Sequence, residues 1–311
     1  NIDKKYFREI PKNDLLIKVN YTNINFKDVM SCKGNPAITR RFPHTPGIDA
    51  CGTVISSSDL NFKEGDNVLV ICQPMGLNSP GAFAEYISIP SSWALRIDEE
   101  INPEYIMAIG TAGLTAALAI ESLIKSNGKR IPNKIAVTGA SGGIGVVSIA
   151  ILNHLGIKVT ALTRNKKHKD KIEFLGVEDV MYLDDLLESS MQNLAKPKWD
   201  AAIDVLGGDI LSSLIKLIKP GGSISITGNI KSTSFSSNVL PFILRGISLN
   251  GINAEMQDPK DRIELVKKMN NDWMPSNLSN IYKLINFDDL PSYMDSFIKG
   301  EIFGRLVIKI S

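Results

Sequence analysis

The chain of 311 residues is 43% hydrophobic and 22% charged, an ordinary globular composition, and its length predicts two domains of roughly 100 to 200 residues each. Its 35 basic and 33 acidic side chains leave a net charge of +2, which argues against a nucleic-acid or membrane partner. No run of about 18 apolar residues is evident and the start, NIDKKYFREI, lacks a signal-peptide core, so we expect a cytoplasmic protein.

The first part of the chain is predicted to form short β-strands. In DLLIKVNYTN (14–23) the apolar side chains alternate, with Leu15, Ile17, Val19 and Tyr21 on one face. Further short apolar runs, GTVIS, DNVLVIC and AFAEYISI, are separated by Gly, Pro, Asn and Asp. This pattern favours a small β-barrel or sandwich.

The second part has the rhythm of βα units. A long helix-prone segment, INPEYIMAIGTAGLTAALAIESLI, precedes it and is interpreted as an interdomain helix. Five apolar runs then alternate with helix-length segments: KIAVT (134–138), IKVTAL (157–162), AAIDV (201–205), SISIT (223–227) and ISLNGI (247–252). Their spacing predicts a doubly wound parallel sheet of α/β class with right-handed crossovers.

The end of the chain is predicted to return to the first domain. PKDRIELVKKM is helical in pattern, and LPSYMDSFIKGEIFGRLVIKIS reads as an amphipathic helix, a glycine turn and a strand. The predicted domains are therefore 1–107, completed by 255–311, and 108–254.

The stretch VTGASGGIG (137–145) lies between a predicted strand and a predicted helix. Glycines permit positive φ and let a pyrophosphate approach the backbone, while the helix N-terminus supplies free N–H donors. This context predicts a dinucleotide site at Ser141, Gly142, Gly143, Ile144 and Gly145. Short-chain dehydrogenases carry a similar string near their N-terminus with a YxxxK pair, but none of the seven tyrosines here has Lys four residues later.

The second strand of the βα series ends at Thr163 and Arg164, where an NAD site usually has an acid about 20 residues after the glycines. No acid follows until Asp170; instead come Asn165 and a cationic run from Lys166 to Lys169. Cations oppose the dipole of the helix that starts here unless an anion sits nearby. We therefore predict NADPH as the cofactor, with its 2′-phosphate recognised by Thr163, Arg164, Asn165 and Lys166. Lys167 and Lys169 are explained equally well as a run of solvated charges without a ligand.

Six motifs together resemble the medium-chain dehydrogenase/reductase superfamily: NINFKDVM, RRFPHTPGIDACGTV, IGTAGLTA, TGASGGIG, IDVLGG and LPFILRGISLNGIN. The resemblance implies a chaperonin-10-like (GroES-like) β-barrel before a Rossmann domain. It is most specific for the NADPH-dependent acryloyl-CoA reductases and quinone oxidoreductases of that superfamily.

The resemblance also bears on metals. In PGIDACGTV the superfamily's zinc-ligating His is replaced by Ile48 and the neighbouring Glu by Asp49. The three cysteines, Cys32, Cys51 and Cys72, contain no CxxC pair, and are read as free thiols. A zinc-independent enzyme is expected.

Without zinc, the oxygen charge that develops during reduction of an activated double bond needs hydrogen-bond donors. The resemblance places the turn Asn25, Phe26, Lys27 and Asp28 at the nicotinamide, with Asn25, Lys27 and Asp28 as catalytic candidates and Phe26 against the cofactor. Asp28 is equally well explained as a helix cap and Lys27 as a solvent-facing side chain. Phe26 stands where relatives often have Tyr, so solvent is a candidate proton source.

Further cofactor contacts follow from the other motifs. The resemblance implies that Thr111, Thr115, Gly207, Gly228 and either Arg245 or the backbone of LPFILRG lie near the cofactor. Asn229 follows the fifth strand, at the carboxyl end of the sheet where ligands bind. Small residues at 111 and 115 also suit helix packing, and Asn229 suits an ordinary turn. Arg40 and Arg41 are candidates for the phosphates of a CoA thioester, although two adjacent arginines are often a solvated pair.

Three functions are compatible with these features. The leading prediction is an NADPH-dependent reductase of an α,β-unsaturated acyl-CoA, with acryloyl-CoA as the first candidate. The second is a quinone or alkenal reductase on the same scaffold, and the third is a non-enzymatic member of the superfamily. The apolar strand ISLNGI further predicts a homodimer through edge pairing.

Overall fold

The computed structural model describes residues 12–128, 132–275 and 278–310, so the initial segment NIDKKYFREI lies outside the described residues. The chain divides into two compact units. Unit 1 contains the described residues up to Thr111, then Lys283–Lys299 and the chain from Arg305 onward; unit 2 contains Ala112–Tyr282 and Gly300–Gly304. Residues 255–282, predicted to join the first domain, thus belong to unit 2.

Unit 1 is built on a mainly antiparallel sheet, as its alternating apolar residues predict. Its core is formed by inward side chains of β1, such as Leu15, Ile17 and Val19, packed with apolar residues of the neighbouring strands. The last strand pairs antiparallel with the first, aligning Tyr21 with Lys309. The elements are β1 (Leu15–Asn23), α1 (Phe26–Cys32), β2 (Ala50–Ser57), β3 (Asn67–Val70), β4 (Tyr86–Ile89), β5 (Leu95–Arg96), β12 (Tyr282–Asn286, which begins in unit 2), α9 (Leu290–Ile298) and β13 (Arg305–Lys309).

Unit 2 is a six-stranded parallel sheet with the order β11-β10-β9-β6-β7-β8, which is the doubly wound Rossmann order. The strands are β6 (Lys134–Thr138), β7 (Lys158–Thr163), β8 (Asp179–Tyr182), β9 (Trp199–Asp204), β10 (Ile218–Ile226) and β11 (Ser248–Gly251). The helices are α3 (Gly143–His154), α4 (Lys169–Glu173), α5 (Leu183–Ser189), α6 (Gly208–Leu217), α7 (Leu240–Arg245) and α8 (Pro259–Asn270). The predicted fold class is confirmed.

One strand of this sheet, β8, was not predicted from the sequence. Strand β8, DVMY, follows α4 and pairs with β7, aligning Thr163 with Tyr182. Its four residues include a leading acid and no long apolar run, so periodicity alone gave no signal for it.

Helix α2 (Pro103–Ser126) is the long apolar helix of the sequence analysis, and it is kinked at Gly110, whose φ of 49° is left-handed. By length and composition it qualifies as a possible membrane span, so the prediction that no such run exists is wrong. However, 78% of its most apolar window is buried inside the protein, which is typical of a core helix.

Candidate functional site

The glycine turn of unit 2 has the backbone geometry of a phosphate cradle. Gly139 is left-handed at φ 59°, and the Gly142 N–H donates to the Gly139 carbonyl at 2.8 Å. A Cβ added to Gly145 would lie 2.2 Å from that same carbonyl oxygen, so only glycine permits this close approach. Helix α3 begins at Gly143 with no side-chain cap and no acid in its first turn, which leaves its first N–H groups available to an anion.

A buried carboxylate that the sequence analysis did not single out supports this turn. Asp204, at the end of β9, accepts hydrogen bonds from the Thr138 hydroxyl at 2.8 Å and from the Gly207 N–H at 2.8 Å. Burial raises the pKa of Asp204, whereas these donors and the Leu206 N–H lower it. Asp204 therefore connects β6, which leads into the glycine turn, to the loop after β9. In the sequence, the feature that could have indicated this role is the acid within IDVLGG.

The loop after β7 carries the predicted phosphate contacts. Thr163 is buried, and its hydroxyl accepts the Asn165 N–H at 3.2 Å. Arg164 is exposed, and none of the described residues forms an ion pair with its guanidinium. The Lys166 ammonium lies 5.2 Å from the ring centroid of Tyr182. Arg164 thus presents an uncompensated cation directly after the second strand, as an anion-binding residue would.

The loops after β9 and β10 meet at the same sheet edge. Gly207 is left-handed at φ 71°, and a Cβ there would lie 2.4 Å from the Ser232 carbonyl oxygen. A Cβ on Gly228 would lie 2.6 Å from the Val205 carbonyl oxygen. Asn229 is exposed beyond the end of β10. These three positions lie at the carboxyl end of the strands, where ligands bind in open α/β sheets, and their cofactor contacts stay a prediction.

Arg245 has partners that the sequence analysis did not foresee. Its guanidinium donates to the backbone carbonyls of Lys216 at 2.8 Å, Ile218 at 3.1 Å and Ala195 at 2.6 Å. These hydrogen bonds explain why an isolated arginine, Arg245, occurs in an apolar run: it binds backbone carbonyls at the α6–β10 junction and before β9. Arg245 therefore has a structural role, and the contact of this segment with the cofactor stays a prediction.

In unit 1 the turn Asn25–Asp28 starts α1. The buried Asp28 carboxylate accepts the N–H groups of Asn25 at 2.8 Å, Gly47 at 3.1 Å and Ile48 at 2.9 Å. Burial raises its pKa to about 7, opposed by these donors and reinforced by the nearby Asp49. The geometry therefore supports the interpretation of Asp28 as a helix cap. The Asp28 side chain is fully buried and has no surface exposed to solvent.

Asn25 and Asp49 belong to a buried polar network around Arg305. The Asn25 amide donates to the Asn23 side chain at 2.7 Å and to Asp49 at 3.0 Å, and its oxygen accepts from Arg305 at 3.1 Å. Arg305 also donates to the Ile24 and Ala108 carbonyls. Burial lowers the pKa of Arg305, whereas Asp49 and Asp28 raise it. Asn25 is thus part of this network, and its predicted catalytic role stays a prediction.

The kink of α2 completes the network. The backbone N–H of Thr111 donates to Asp49 at 2.9 Å, its hydroxyl also donates to Asp49, and its Oγ1 accepts the Cys72 N–H at 2.9 Å. A Cβ on Gly110 would lie 2.4 Å from the Asn23 amide nitrogen, so the kink needs glycine. The Thr111 hydroxyl is engaged within unit 1, and its predicted contact with the cofactor stays a prediction.

Four predicted residues keep side chains near or at the protein surface. Phe26 is exposed and Lys27 is half-buried at the start of α1, and Arg40 and Arg41 are exposed on the loop before β2. Their contacts with cofactor or substrate stay predictions. Thr115 differs from them, because it is buried in α2 within unit 2.

The residues in PGIDACGTV do not fit a catalytic zinc. Ile48 is apolar and buried, and the carboxylates of Asp28 and Asp49 are engaged by N–H and amide donors. In the part of the chain that the structure describes, no group of three or more His, Cys, Asp or Glu side chains is arranged to hold a metal ion.

An open cleft of about 500 Å³ lies between α2 and α8 in unit 2. Its lining includes Glu121, Lys125, Asp261 and Lys268, so it carries charges of both signs. It contains none of the predicted site residues, and it is therefore distinct from the glycine turn.

Two family models match the chain. Residues 11–99 match the alcohol dehydrogenase GroES-like domain, and residues 143–271 match the zinc-binding dehydrogenase domain. Ile48, which stands where the superfamily pattern has a zinc-ligating His, lies in the segment that matches the GroES-like domain.

The chain is similar to proteins of known name over nearly its full length. It is 34% identical to YhfP of Bacillus subtilis, whose name assigns it provisionally to the quinone oxidoreductases, over 97% of this chain and 92% of that protein. It is 30% identical to the acrylyl-CoA reductase AcuI of Ruegeria pomeroyi, with the same coverage of both chains.

Solved structures extend the comparison. YhdH of Escherichia coli with bound NADPH superposes with a TM-score of 0.93 at 30% identity, covering 100% of this chain and 95% of that one. YhfP of B. subtilis with bound NAD also gives a TM-score of 0.93, at 34% identity, covering 100% and 94%.

Proposed function

The chain belongs to the medium-chain dehydrogenase/reductase superfamily and is an oxidoreductase, and from this premise we propose that it is an NADPH-dependent reductase of the activated double bond in a small 2-enoyl-CoA. Acryloyl-CoA, reduced to propionyl-CoA, is the first candidate substrate. The cofactor part of the proposal rests on the pairing of an intact glycine cradle with an unpaired Arg164 at the end of the second strand, and the substrate part on the similarity to the acrylyl-CoA reductase of R. pomeroyi.

NADPH is the cofactor in this proposal, and the residues fit it. Helix α3 and the glycine turn present N–H donors to a pyrophosphate, and Arg164 stands where an acid would favour the ribose hydroxyls of NAD. The YhdH structure contains NADPH and the YhfP structure contains NAD, so relatives alone do not decide between the two. The positive charge of Arg164 favours NADPH, which carries a 2′-phosphate, over NADH.

The remaining roles are assigned to this chain's own residues. Bound NADPH supplies the hydride for the β-carbon of the enoyl group. Asn25 and Asp28 form internal hydrogen bonds. Lys27 is the proposed donor for the oxygen charge that develops in the thioester, because it is the cationic side chain of this turn. Asn25 and Asp28 are positioning residues that fix the turn on which Lys27 lies. Solvent is the proposed source of the proton for the α-carbon.

The proposal is tested by following NADPH consumption with acryloyl-CoA, free acrylate, a benzoquinone and an alkenal in parallel. We expect the highest kcat/KM for acryloyl-CoA. A kcat/KM for the quinone that equals or exceeds this value would contradict the proposed substrate while leaving the cofactor assignment intact.

Arg40 and Arg41 are proposed to meet the phosphates of CoA, because both are exposed cations on one loop. Replacing both by Ala is expected to raise KM for acryloyl-CoA but not for acryloyl-pantetheine, which lacks the nucleotide. Lys63→Ala, which removes another exposed cation of unit 1, is the matched control.

A quinone reductase is the second candidate, and it is favoured by the provisional name of YhfP, the relative with 34% identity. It predicts that activity is insensitive to the CoA moiety and to Arg40 and Arg41. We further propose a homodimer and a cytoplasmic location, the latter because all three cysteines are free thiols.

A further inference from the structure

Five residues from near the end of the chain, Gly300–Gly304 (GEIFG), form a strap across the two cofactor elements of unit 2. At one end the Gly304 N–H donates to the Ser141 carbonyl of the glycine turn at 2.9 Å. At the other end the Gly300 carbonyl accepts the Asn165 side-chain amide at 3.0 Å. The strap therefore contacts both the glycine turn and the loop after β7, although Gly300 is 135 residues from Asn165 along the chain.

The strap is held in a defined conformation. Gly300 and Gly304 are left-handed at φ 68° and 74°, and a Cβ on Gly304 would lie 2.1 Å from the Ile281 carbonyl oxygen. Between them the Phe303 ring lies 5.7 Å from the ring of the buried His168, and the Lys171 ammonium lies 5.6 Å from the Phe303 centroid. The strap is thus held at both ends by its glycine backbone and between them by the packing of Phe303 against His168.

Arg164 rests against this fixed backbone. Its Nη2 is 3.8 Å from the point where a Cβ of residue 300 would stand. Its neighbour Asn165 uses both ends of its amide, because Nδ2 binds Gly300 and Oδ1 accepts the Lys167 N–H at 3.0 Å. Asn165 therefore joins the loop that carries Arg164 to the strap.

We propose that the strap is part of the cofactor site, and that Asn165 is a positioning residue which, by binding the Gly300 carbonyl, holds Arg164 ready for the 2′-phosphate and so sets the preference for NADPH over NADH. This inference rests on the proposed function, in which Arg164 meets that phosphate. The physical reason is entropic: an exposed arginine on an untethered loop loses more freedom when it binds, which weakens binding.

Direct binding tests the inference without a substrate. The dissociation constants of NADPH and NADH are measured by fluorescence titration for wild type, Arg164→Ala, Asn165→Ser and the double variant. Serine keeps a capping oxygen for the Lys167 N–H but is too short to reach Gly300. We expect Asn165→Ser to lower the preference for NADPH by about five-fold, the effect of one neutral hydrogen bond, with NADH binding unchanged. In the Arg164→Ala background it should have no further effect.

Asn153→Ala is the matched control, because the Asn153 amide donates to the Leu175 carbonyl at 2.8 Å elsewhere in unit 2. It should lower Tm without changing the ratio of the two dissociation constants. Phe303→Leu loosens the other anchor and should reduce the NADPH preference even if Asn165→Ser does not fold.

The outcomes separate the two ideas. If Arg164→Ala abolishes the NADPH preference while Asn165→Ser and Phe303→Leu retain it, the inference is overturned and the proposed cofactor role stands. If Asn165→Ser weakens the binding of NADPH and of NADH equally, the inference is also overturned. If Arg164→Ala itself leaves the preference unchanged, the proposed role of Arg164 fails, and the inference fails with it.

Discussion

Asp28 shows how one buried carboxylate can make unit 1 sensitive to pH. Its pKa is raised from the usual 3.8 to about 7, mainly by burial. When folding raises the pKa of a carboxyl group, the group stabilises the fold most at pH values below its pKa in the unfolded state. This stabilisation is lost as the pH rises through the pKa of the folded state. The stability that Asp28 provides should therefore be lost between about pH 4 and pH 7.

Asp28→Asn tests this expectation, because the amide keeps one oxygen acceptor and cannot ionise. The difference in free energy of unfolding between wild type and variant should shift by up to roughly 4 kcal/mol in favour of the variant from pH 4 to pH 7.5. Chemical denaturation across that range measures it, with the exposed Asp98→Asn as control. A difference that is independent of pH would mean that the three N–H donors keep Asp28 ionised throughout.

At the scale of elements, the turn between β6 and α3 depends on Gly145. An added methyl would lie 2.2 Å from the Gly139 carbonyl oxygen and 2.8 Å from the Ala140 Cα, both backbone atoms that side-chain rotation cannot move. Gly145→Ala is expected to lower the free energy of unfolding by roughly 1 to 3 kcal/mol and to weaken NADPH binding by at least about ten-fold, because the cradle must open. Differential scanning fluorimetry and fluorescence titration measure the two effects.

Gly156→Ala is the control for that variant. Gly156 follows the other end of α3 at φ 71°, and a Cβ there has no heavy atom within 4 Å. It should lower stability by about 1 kcal/mol through backbone strain and leave NADPH binding unchanged. Wild-type NADPH affinity in Gly145→Ala would show that the close approach in the turn has no role in the cofactor site.

Within unit 2, Arg245 holds helix α7 through hydrogen bonds to three backbone carbonyls. Arg245→Ala should lower the free energy of unfolding by about 2 to 3 kcal/mol, since it removes charge-assisted hydrogen bonds and leaves carbonyls unpaired. NADPH affinity should stay at the wild-type value. Arg41→Ala, an exposed arginine, should change stability by less than about 0.5 kcal/mol. A selective loss of NADPH affinity in Arg245→Ala would restore the original prediction.

The elements also show what local pattern can predict. The glycine turn and Arg164 were identified because strand, turn and helix are contiguous in sequence, and five of six parallel strands carry clear apolar runs. Asn25 and Arg245 were assigned to ligands because a polar side chain in an apolar segment has the same pattern whether its partner is a ligand or a distant carbonyl. The strap at Gly300–Gly304 was missed for the same reason: its partners are remote in sequence.

At the scale of the molecule, the described sheet of unit 2 has two edge strands, β11 and β8, and the β11 edge lies next to an apolar patch in sequence. Strand β11 pairs with β10 on one side only, aligning Leu249 with Ile224, and no described strand lies on its outer side. Helix α7 precedes this strand, and Val239, Ile243 and Leu244 on and beside it are 63%, 72% and 63% exposed. An open edge beside an apolar patch favours pairing with an identical edge across a two-fold axis.

We therefore expect a homodimer in sedimentation equilibrium, and a monomer when Ile243 and Leu244 are both replaced by Lys. Because these two side chains are exposed, the variant should keep the Tm and NADPH affinity of an intact unit 2, apart from any stability that the dimer itself contributes. Leu60→Lys is the control: Leu60 is fully exposed in unit 1, so charge there should leave the dimer unchanged. A wild-type monomer at micromolar concentration, or a dimer that persists in the double variant, would contradict the expected interface and leave the apolar patch to another partner.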